Sequence, residues 1–455
     1  MDRSKQLGEQ SIGRLLWKFS IPAIVGMLVN ALYNIVDRIF VGRGVGLLGI
    51  SATTVAFPIS LIIMAFGMLI GIGAAATVSI RLGQKKKEEA EHILGNAFTL
   101  IVISSILVTT LGLVFQEPLL IMFGASEEVL PLAKEFITII LIGVLLQNIG
   151  FGLNNIIRSE GNPKVAMLTM LIGAVLNTIF NPIFIFGLDL GIRGSALATI
   201  VSQTVCSGWV LSYFMGKKSV LKLRIKNLKL NTPIIKQIFA IGMSPFLMQL
   251  AASGISIIFN KDLQTYGGDT AIAAFGIINS VIMLILMPIF GINQGVQPII
   301  GYNYGAKNFD RVKKALKLAI LVATAICTLG FVIVEVFPRA IISVFSSNNV
   351  ELLDIGSSGI RIFLLMMPII GFQIVSASYF QAINKAKIAI FLSLSRQVII
   401  LLPLLVILPK FLKLTGVWVA GSTADLLSSI VTGIFLFREL RHLGEASQLM
   451  EQEAR

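Results

Sequence analysis

The chain has 455 residues, of which 55% are hydrophobic and only 13% charged, so it carries more apolar surface than a water-soluble domain can hide, and a bilayer is its natural solvent. A net charge of +14 would raise the question of nucleic acid in a soluble protein. Here the basic residues sit in short loops between apolar runs, where they set membrane topology instead. Cys206 and Cys327 both lie inside apolar runs and read as small core residues, which excludes a disulfide framework.

Residues 1–10 are polar, and the apolar run from Leu15 is too long for a signal-peptide core, so it reads as a retained first span. Apolar runs then follow at 15–37, 48–80, 92–116, 132–157, 163–186 and 192–215, and, after a basic stretch at 216–236, at 238–266, 271–300, 314–336, 352–383, 386–408 and 414–437. Each is long enough for the ~20 residues that a helix needs to cross a bilayer. The expected fold is an all-α polytopic membrane protein of twelve transmembrane helices. With the N-terminus placed in the cytoplasm, 27 Lys and Arg fall on the inner side and eight on the outer, which orients both termini inward.

The halves resemble each other. Pro22 of the first half has its counterpart in Pro245, and Gly83-Gln84-Lys85 in Gly305-Ala306-Lys307. Met122-Phe123 returns as Val344-Phe345, and Lys164-Val165-Ala166 as Lys387-Ile388-Ala389, at an offset that stays constant to within one position. A repeat of this length predicts two six-helix lobes, 1–215 and 238–455, joined by a cytoplasmic basic linker at 216–237. Six is even, so both lobes insert the same way up, related by a pseudo-two-fold axis along the membrane normal.

No G-x-x-x-x-G-K-[ST] loop, His/Cys metal cluster or Ser/His/Asp arrangement is visible, and the two histidines, His92 and His442, lie near the cytoplasmic edge. An enzyme is therefore not expected, and an ion gradient is the natural energy source. Ionisable residues inside spans are costly and point to function. Asp37 lies toward the outer end of the first span, with Asn30 and Asn34 seven and three positions before it on the same helical face. Asn177 and Asn181 share a face of the fifth span, directly before Pro182, and Thr199 enters the sixth from outside. At ~1.5 Å per residue, Asp37 and Asn181 lie roughly 28 and 27 Å from the inner end and Thr199 roughly 12 Å from the outer, so all can meet at one level. A carboxylate with amide and hydroxyl oxygens suits Na⁺; the same carboxylate can instead take a proton. Asn177 and Asn181 alone would read as interhelical hydrogen-bonders.

In the second half, Arg396 and Asp425 each fall near the midplane of the last two spans, which predicts an ion pair. Arg361 reads as a snorkelling side chain, and Glu160 as part of a turn with local charge pairing. Met243, Met248, Met283, Met287, Met366 and Met367, with polar Gln249, Asn279 and Gln297, supply residues for a cavity that accepts varied apolar ligands. Met248, Gln249, Asn279, Met283 and Met287 are the candidate substrate contacts. Pro58 and Pro288 are expected to kink spans two and eight.

Jointly, Asn34-Ile35-Val36-Asp37-Arg38-Ile39-Phe40-Val41-Gly42, residues 158–167, Asn181-Pro182-Ile183-Phe184-Ile185-Phe186-Gly187 and Gly301-Tyr302-Asn303-Tyr304-Gly305-Ala306-Lys307 resemble the multidrug and toxic compound extrusion (MATE) family over nearly the whole chain. The resemblance implies a V-shaped pair of lobes and Na⁺- or H⁺-coupled antiport that exports organic, often cationic and amphipathic, compounds. It makes Asp37 the first-helix carboxylate of an N-lobe cation site to which Asn177 and Thr199 also belong. Asn181 departs from the pattern, since many relatives carry aspartate there. The stretches 245–253 and 368–380, where some relatives carry C-lobe acids, hold none here. No cofactor beyond the coupling ion and no nucleic-acid partner is implied, and a monomer in a bacterial inner membrane is expected. A lipid-linked oligosaccharide flippase of the same superfamily is the alternative, disfavoured by the few ionisable residues inside the spans. A membrane scaffold is the third reading, and would not need Asp37 at depth.

Overall fold

The structure, a computed structural model, describes residues 5–344 and 350–453, apart from the side chains of Asn34, Leu47, Asp269 and residues 446–453. Helices α1 (Ile12–Gly44), α2 (Leu48–Gly83), α3 (Lys87–Met122), α5 (Pro163–Gly187) and α6 (Gly191–Met215) are long and apolar enough to cross a membrane. Between them α4 (130–159) is one span built from two helices, Leu130–Ile142 and Val144–Ser159, bent by 54° at Gly143. After a linker come α7 (Thr232–Gly268), α8 (Thr270–Gly305) and α9 (Phe309–Val336). Then α10 (350–382) pairs Val350–Phe363 with Met367–Ala382 at a 49° bend. The last helical stretch, Ala386–Glu445, is 60 residues long, which at ~1.5 Å per residue is about three times the hydrocarbon thickness. Lys413 breaks it with φ 50° and ψ −132°, which divides it into α11 (386–412) and α12 (414–445). Among the described residues this makes twelve spans in two groups of six.

Three details differ from the sequence-based expectation. The first span does not stop at residue 37 but runs two further turns to Gly44, so Asp37 lies inside a helix rather than at its end. α2 and α8 carry Pro58 and Pro288 inside continuous helices, and two sharp bends that the sequence did not announce lie at Gly143 and at residues 364–366. Arg361 does not snorkel alone; its Nε lies 3.1 Å from Glu335 Oε2.

The repeat is visible in backbone geometry. Lys85 and Lys307, which occupy the same place in the two halves, both adopt the left-handed conformation, at φ 61° and 60°. The lobes meet along a seam on the side that carries the termini. A Cβ added at Gly83 would lie 2.0 Å from the Tyr302 carbonyl oxygen, and one at Gly305 2.1 Å from the Ile80 carbonyl oxygen. Each partner is the other's repeat equivalent, so the contact is self-complementary, as a two-fold requires. Deeper in the seam Gly73 of α2 lies against Ile238 and Gly242 of α7 against Leu69, with an added Cβ 2.1 and 1.7 Å from the facing carbonyl oxygens. Only glycine lets helix backbones approach this closely. Buried Arg158 of α4 donates across the same seam to Gln294 of α8.

The terminal segments reinforce that side. The Gln6 side chain donates to the Gly161 carbonyl at 2.8 Å, while the Leu7 carbonyl accepts from Asn303 at 2.9 Å and Arg311 at 3.1 Å, so one short segment holds both halves. The linker is clamped to the first lobe. Fully buried Asn96 accepts from the Asn231 backbone N–H at 2.7 Å, and Thr99 donates to the Leu228 carbonyl at 2.9 Å. Glu160, expected to pair with a nearby charge, is instead fully buried among neutral donors: Tyr213, Ser219 at 2.7 Å and the Leu221 backbone N–H at 3.1 Å. Burial pushes its carboxyl above the usual carboxylate range, and those hydrogen bonds pull partly back.

Candidate functional site

α5 approaches the side opposite the termini with Asn177 and Asn181 one turn apart on one face, both at most 3% exposed. Pro182 then removes a backbone donor, and residues Ile183–Gly187 widen into a π-helical turn. Such turns re-aim side chains and are frequent at functional sites. α6 returns immediately. Gly194 sits against the Phe184 backbone, where a Cβ would lie 2.7 Å from the carbonyl carbon. This close approach places Ser195 and Thr199, one turn apart, beside the asparagines. α1 closes the group, because its extension past Asp37 rests Gly44 on Ile185 of the π turn.

The side chains form one continuous chain of hydrogen bonds across three helices. Asn181 Nδ2 donates to Asp37 Oδ1 at 2.5 Å and to Asn177 Oδ1 at 2.9 Å. Asn177 Nδ2 donates to Thr199 Oγ1 at 3.1 Å, and Ser195 Oγ donates to Asp37 Oδ1 at 3.0 Å. Among the described residues no Lys or Arg forms an ion pair with Asp37. Arg38 beside it lies over the Phe57 ring at 6.0 Å. The carboxylate is therefore held by neutral donors alone. Asn181 Oδ1 is buried and finds no hydrogen-bond partner among the described residues, so one oxygen with free lone pairs faces a site that otherwise satisfies itself. Oxygen donors from Asp37, Asn181, Asn177, Thr199 and Ser195 match the preference of a hard monovalent cation.

Four predicted residues, Asp37, Asn177, Asn181 and Thr199, thus come together. Ser195 was missed by sequence reasoning, although its spacing of four from Thr199 was a usable signal. Asn30 lies exposed on α1, two turns before Asp37. The side chain of Asn34 lies outside the described residues. In the second lobe Arg396 Nε donates to Asp425 Oδ1 at 2.5 Å, with Asp425 almost fully buried. Among the candidate substrate contacts, Met248, Gln249 and Met287 are half-buried and Asn279 and Met283 exposed, on α7 and α8. Among the described residues no hydrogen bond joins their side chains, so the structure does not gather them into a polar cluster.

Comparison with known proteins gives three findings. The MatE family model matches twice, at residues 22–183 and 245–407, and the two matches start at the equivalent prolines, Pro22 and Pro245. The multidrug export protein MepA of Staphylococcus haemolyticus is 27% identical over 90% of this chain and 90% of its own. Among solved structures, the MATE multidrug transporter DinF-BH, in complex with a ligand, is 40% identical, with a TM-score of 0.89 over 95% of this chain and 96% of its own. An outward-facing MATE family transporter of the MOP superfamily is 26% identical, with a TM-score of 0.90 over 97% and 98%.

Proposed function

Because the chain belongs to the MatE family of membrane transporters, we propose that it is a secondary multidrug exporter that moves organic, chiefly cationic, compounds out of the cell against an inward flow of Na⁺ or H⁺. The observation that carries the reading is the network around Asp37, a lone carboxylate inside a span held only by neutral donors. Holding a carboxylate inside a span without a counter-charge is costly, and such residues mark transport pathways. The relatives export multiple drugs, and one solved multidrug transporter of similar fold holds a ligand.

In the proposed cycle the terminus side, rich in Lys and Arg, faces the cytoplasm of a bacterial inner membrane. The glycine seam closes that side, so Asp37 is reached from outside. A cation entering from outside neutralises Asp37, and Asn181 responds. Its amide N–H now donates to the carboxylate. When a proton or Na⁺ arrives there, rotating the amide aims its unpartnered carbonyl oxygen at the positive charge instead. That swap removes the hydrogen bonds Asn181 makes in the cation-free state and biases the lobes toward the opposite opening. Substrate favours the state that the cation disfavours, and the coupling between them is reciprocal in binding free energy. One carboxylate fits one inward elementary charge per cycle; the membrane potential adds about 2.3 kcal/mol per 100 mV to that step, which drives export of a neutral compound and is offset when the exported compound carries one positive charge.

The test is purified protein in liposomes with a fluorescent organic cation and imposed Na⁺ or H⁺ gradients, comparing wild type with Asp37→Asn. Uphill movement driven by one ion and abolished in the variant is expected. Uphill transport that survives in Asp37→Asn refutes the assignment.

A further inference from the structure

Away from the Asp37 site, the second lobe contains a buried polar seam with no assigned role. α10 and α12 run side by side in the same direction, from the far side toward the terminus side. Two side-chain contacts set their register. Gln373 Nε2 donates to Ser428 Oγ at 2.8 Å, and Lys385 Nζ lies 2.5 Å from Glu439 Oε2. The partners are separated by twelve positions on α10 and its following turn and by eleven on α12, so both helices present the intervening faces to each other. Those faces carry Ser376 and Tyr379 on α10 and Ser429 and Thr432 on α12. All four are at most 7% exposed.

Five buried oxygens on this seam have no hydrogen-bond partner among the described residues: Gln373 Oε1, Ser376 Oγ, Tyr379 OH, Ser429 Oγ and Thr432 Oγ1. Hydroxyls in a helix normally bond back to a carbonyl one turn earlier, as Thr169 and Ser202 do here. Native interiors rarely leave such groups unpaired, and a row of them between two helices is the environment that holds ordered water. The row has a carboxylate at each end. One turn beyond the Gln373–Ser428 contact lies Asp425, paired with Arg396 at a π-helical stretch of α11, Ser395–Leu401. At the other end lies Glu439, paired with Lys385, which is 37% exposed and so opens the row to the terminus-side surface.

We propose that the α10–α12 seam holds a file of water molecules that carries protons between the terminus-side surface and Asp425. From Asp425 to Glu439 the helix advances ~21 Å at ~1.5 Å per residue, or about seven hydrogen-bonded steps of ~2.8 Å, with five protein oxygens already along the way. A proton delivered to Asp425 neutralises it and releases Arg396, so the pair passes from net neutral to singly positive and its α11–α12 link is broken. The groups facing the path are Arg396 from α11, Tyr379 from α10, Tyr304 from α8 within electrostatic reach of Tyr379, Lys385 at the turn after α10, and Glu439 on α12. Lys313 of α9 lies near Gly444 below them. The path rests on the coupled-transport reading only for its purpose; its existence does not depend on Asp37.

The test uses the full chain in liposomes with two readouts independent of transport. Radiolytic hydroxyl labelling reports side chains that touch internal water. Tyr379, although 1% exposed, is expected to label strongly, and Thr432→Leu, which fills the file, to reduce that labelling by at least about threefold. Asp37→Asn is expected to leave it unchanged, which separates this proposal from the antiport reading. Infrared difference spectra after a pH jump report the Asp425 carboxyl, identified by its loss in Asp425→Asn. Ser376→Ala combined with Thr432→Val keeps the packing but removes two hydroxyls, and is expected to slow the response by about tenfold or more. An unlabelled Tyr379 in the wild type, or an Asp425 band that ignores pH, overturns the proposal.

Discussion

The glycine seam gives the most direct test of how the two lobes exchange access. At Gly83 and Gly305 an added Cβ would lie 2.0 and 2.1 Å from carbonyl oxygens of the opposite lobe, against an ordinary C···O contact of ~3.3 Å. Substituting Ala at either position therefore forces the backbones apart by about 1.2 Å. The obstacle is backbone, which cannot step aside as a side-chain tip can. Overpacking of this kind costs ~1–3 kcal/mol, here charged only to the state in which the terminus side is closed, a shift of roughly 5–150-fold toward the opposite opening. Gly83→Ala and Gly305→Ala relieve the same seam, so the double variant should fall short of the sum. The assay is labelling by a membrane-impermeant thiol reagent of Ser79→Cys, fully buried at the seam, in a background lacking Cys206 and Cys327. The labelling rate should rise with the open fraction. Gly208, whose added Cβ meets nothing within 4 Å, is the control: Gly208→Ala should gain ~1 kcal/mol of helix stability and leave labelling unchanged. Folded Gly83→Ala and Gly305→Ala proteins that label like the wild type would refute a seam that opens.

Further outcomes follow from the sites. Asn181→Asp puts a second carboxylate against Asp37, where like charges at hydrogen-bond distance resist joint ionisation; Na⁺ binding measured calorimetrically should tighten, and unchanged ion dependence would count against a cation site. Glu160→Ala leaves the buried Leu221 N–H without its acceptor and should cost ~1–3 kcal/mol, while Glu160→Gln keeps one. Because burial holds the Glu160 pKa above its unfolded value, its stabilisation is complete below the unfolded pKa and declines as pH rises through the folded one. Melting in detergent should therefore fall from acid to mildly alkaline pH more in the wild type than in Glu160→Gln. Asp425→Ala strands Arg396 beside a buried position and should cost ~3–5 kcal/mol, with the exchanged pair Arg396→Asp, Asp425→Arg recovering part of the loss.

The spans were legible because each buries an uninterrupted apolar run, and the repeat because turns such as Lys85 and Lys307 need the same backbone in both halves. What escaped depends on contacts between distant segments. The first apolar run ends at residue 37, yet the helix continues to Gly44, which accommodates Ile185 of the π turn. Nothing local in Arg361 announces Glu335 at the end of the preceding span. Glu160 looked like a partner for Arg158 in the same turn, but Arg158 points across the seam while Glu160 takes the linker. Asp37, Asn177, Asn181 and Thr199 could be brought to one depth by helical rise alone. Ser195 needed the Gly194–Phe184 contact that fixes how far α6 advances along α5.

The same corner is built differently in the two repeats. The second lobe rebuilds it, with Gly416 against the Leu408 carbonyl as Gly194 lies against Phe184. Beyond that glycine the first lobe continues Ser195-Ala196 and the second Val417-Trp418. Trp418, Phe259, Phe275 and Phe363 pack edge-on or tilted at ring separations from 4.4 to 6.4 Å, filling with aromatic surface the level where the first lobe has polar oxygens. Phe259 stands to Asp37 as Lys307 stands to Lys85, so the repeat position that carries the carboxylate in one lobe carries a packed ring in the other. A two-fold pair of lobes can share one seam while the chemistry of this corner differs between them. Interlocked rings leave the second-lobe corner no second arrangement of similar energy, whereas an amide that either donates to Asp37 or offers it an oxygen has two.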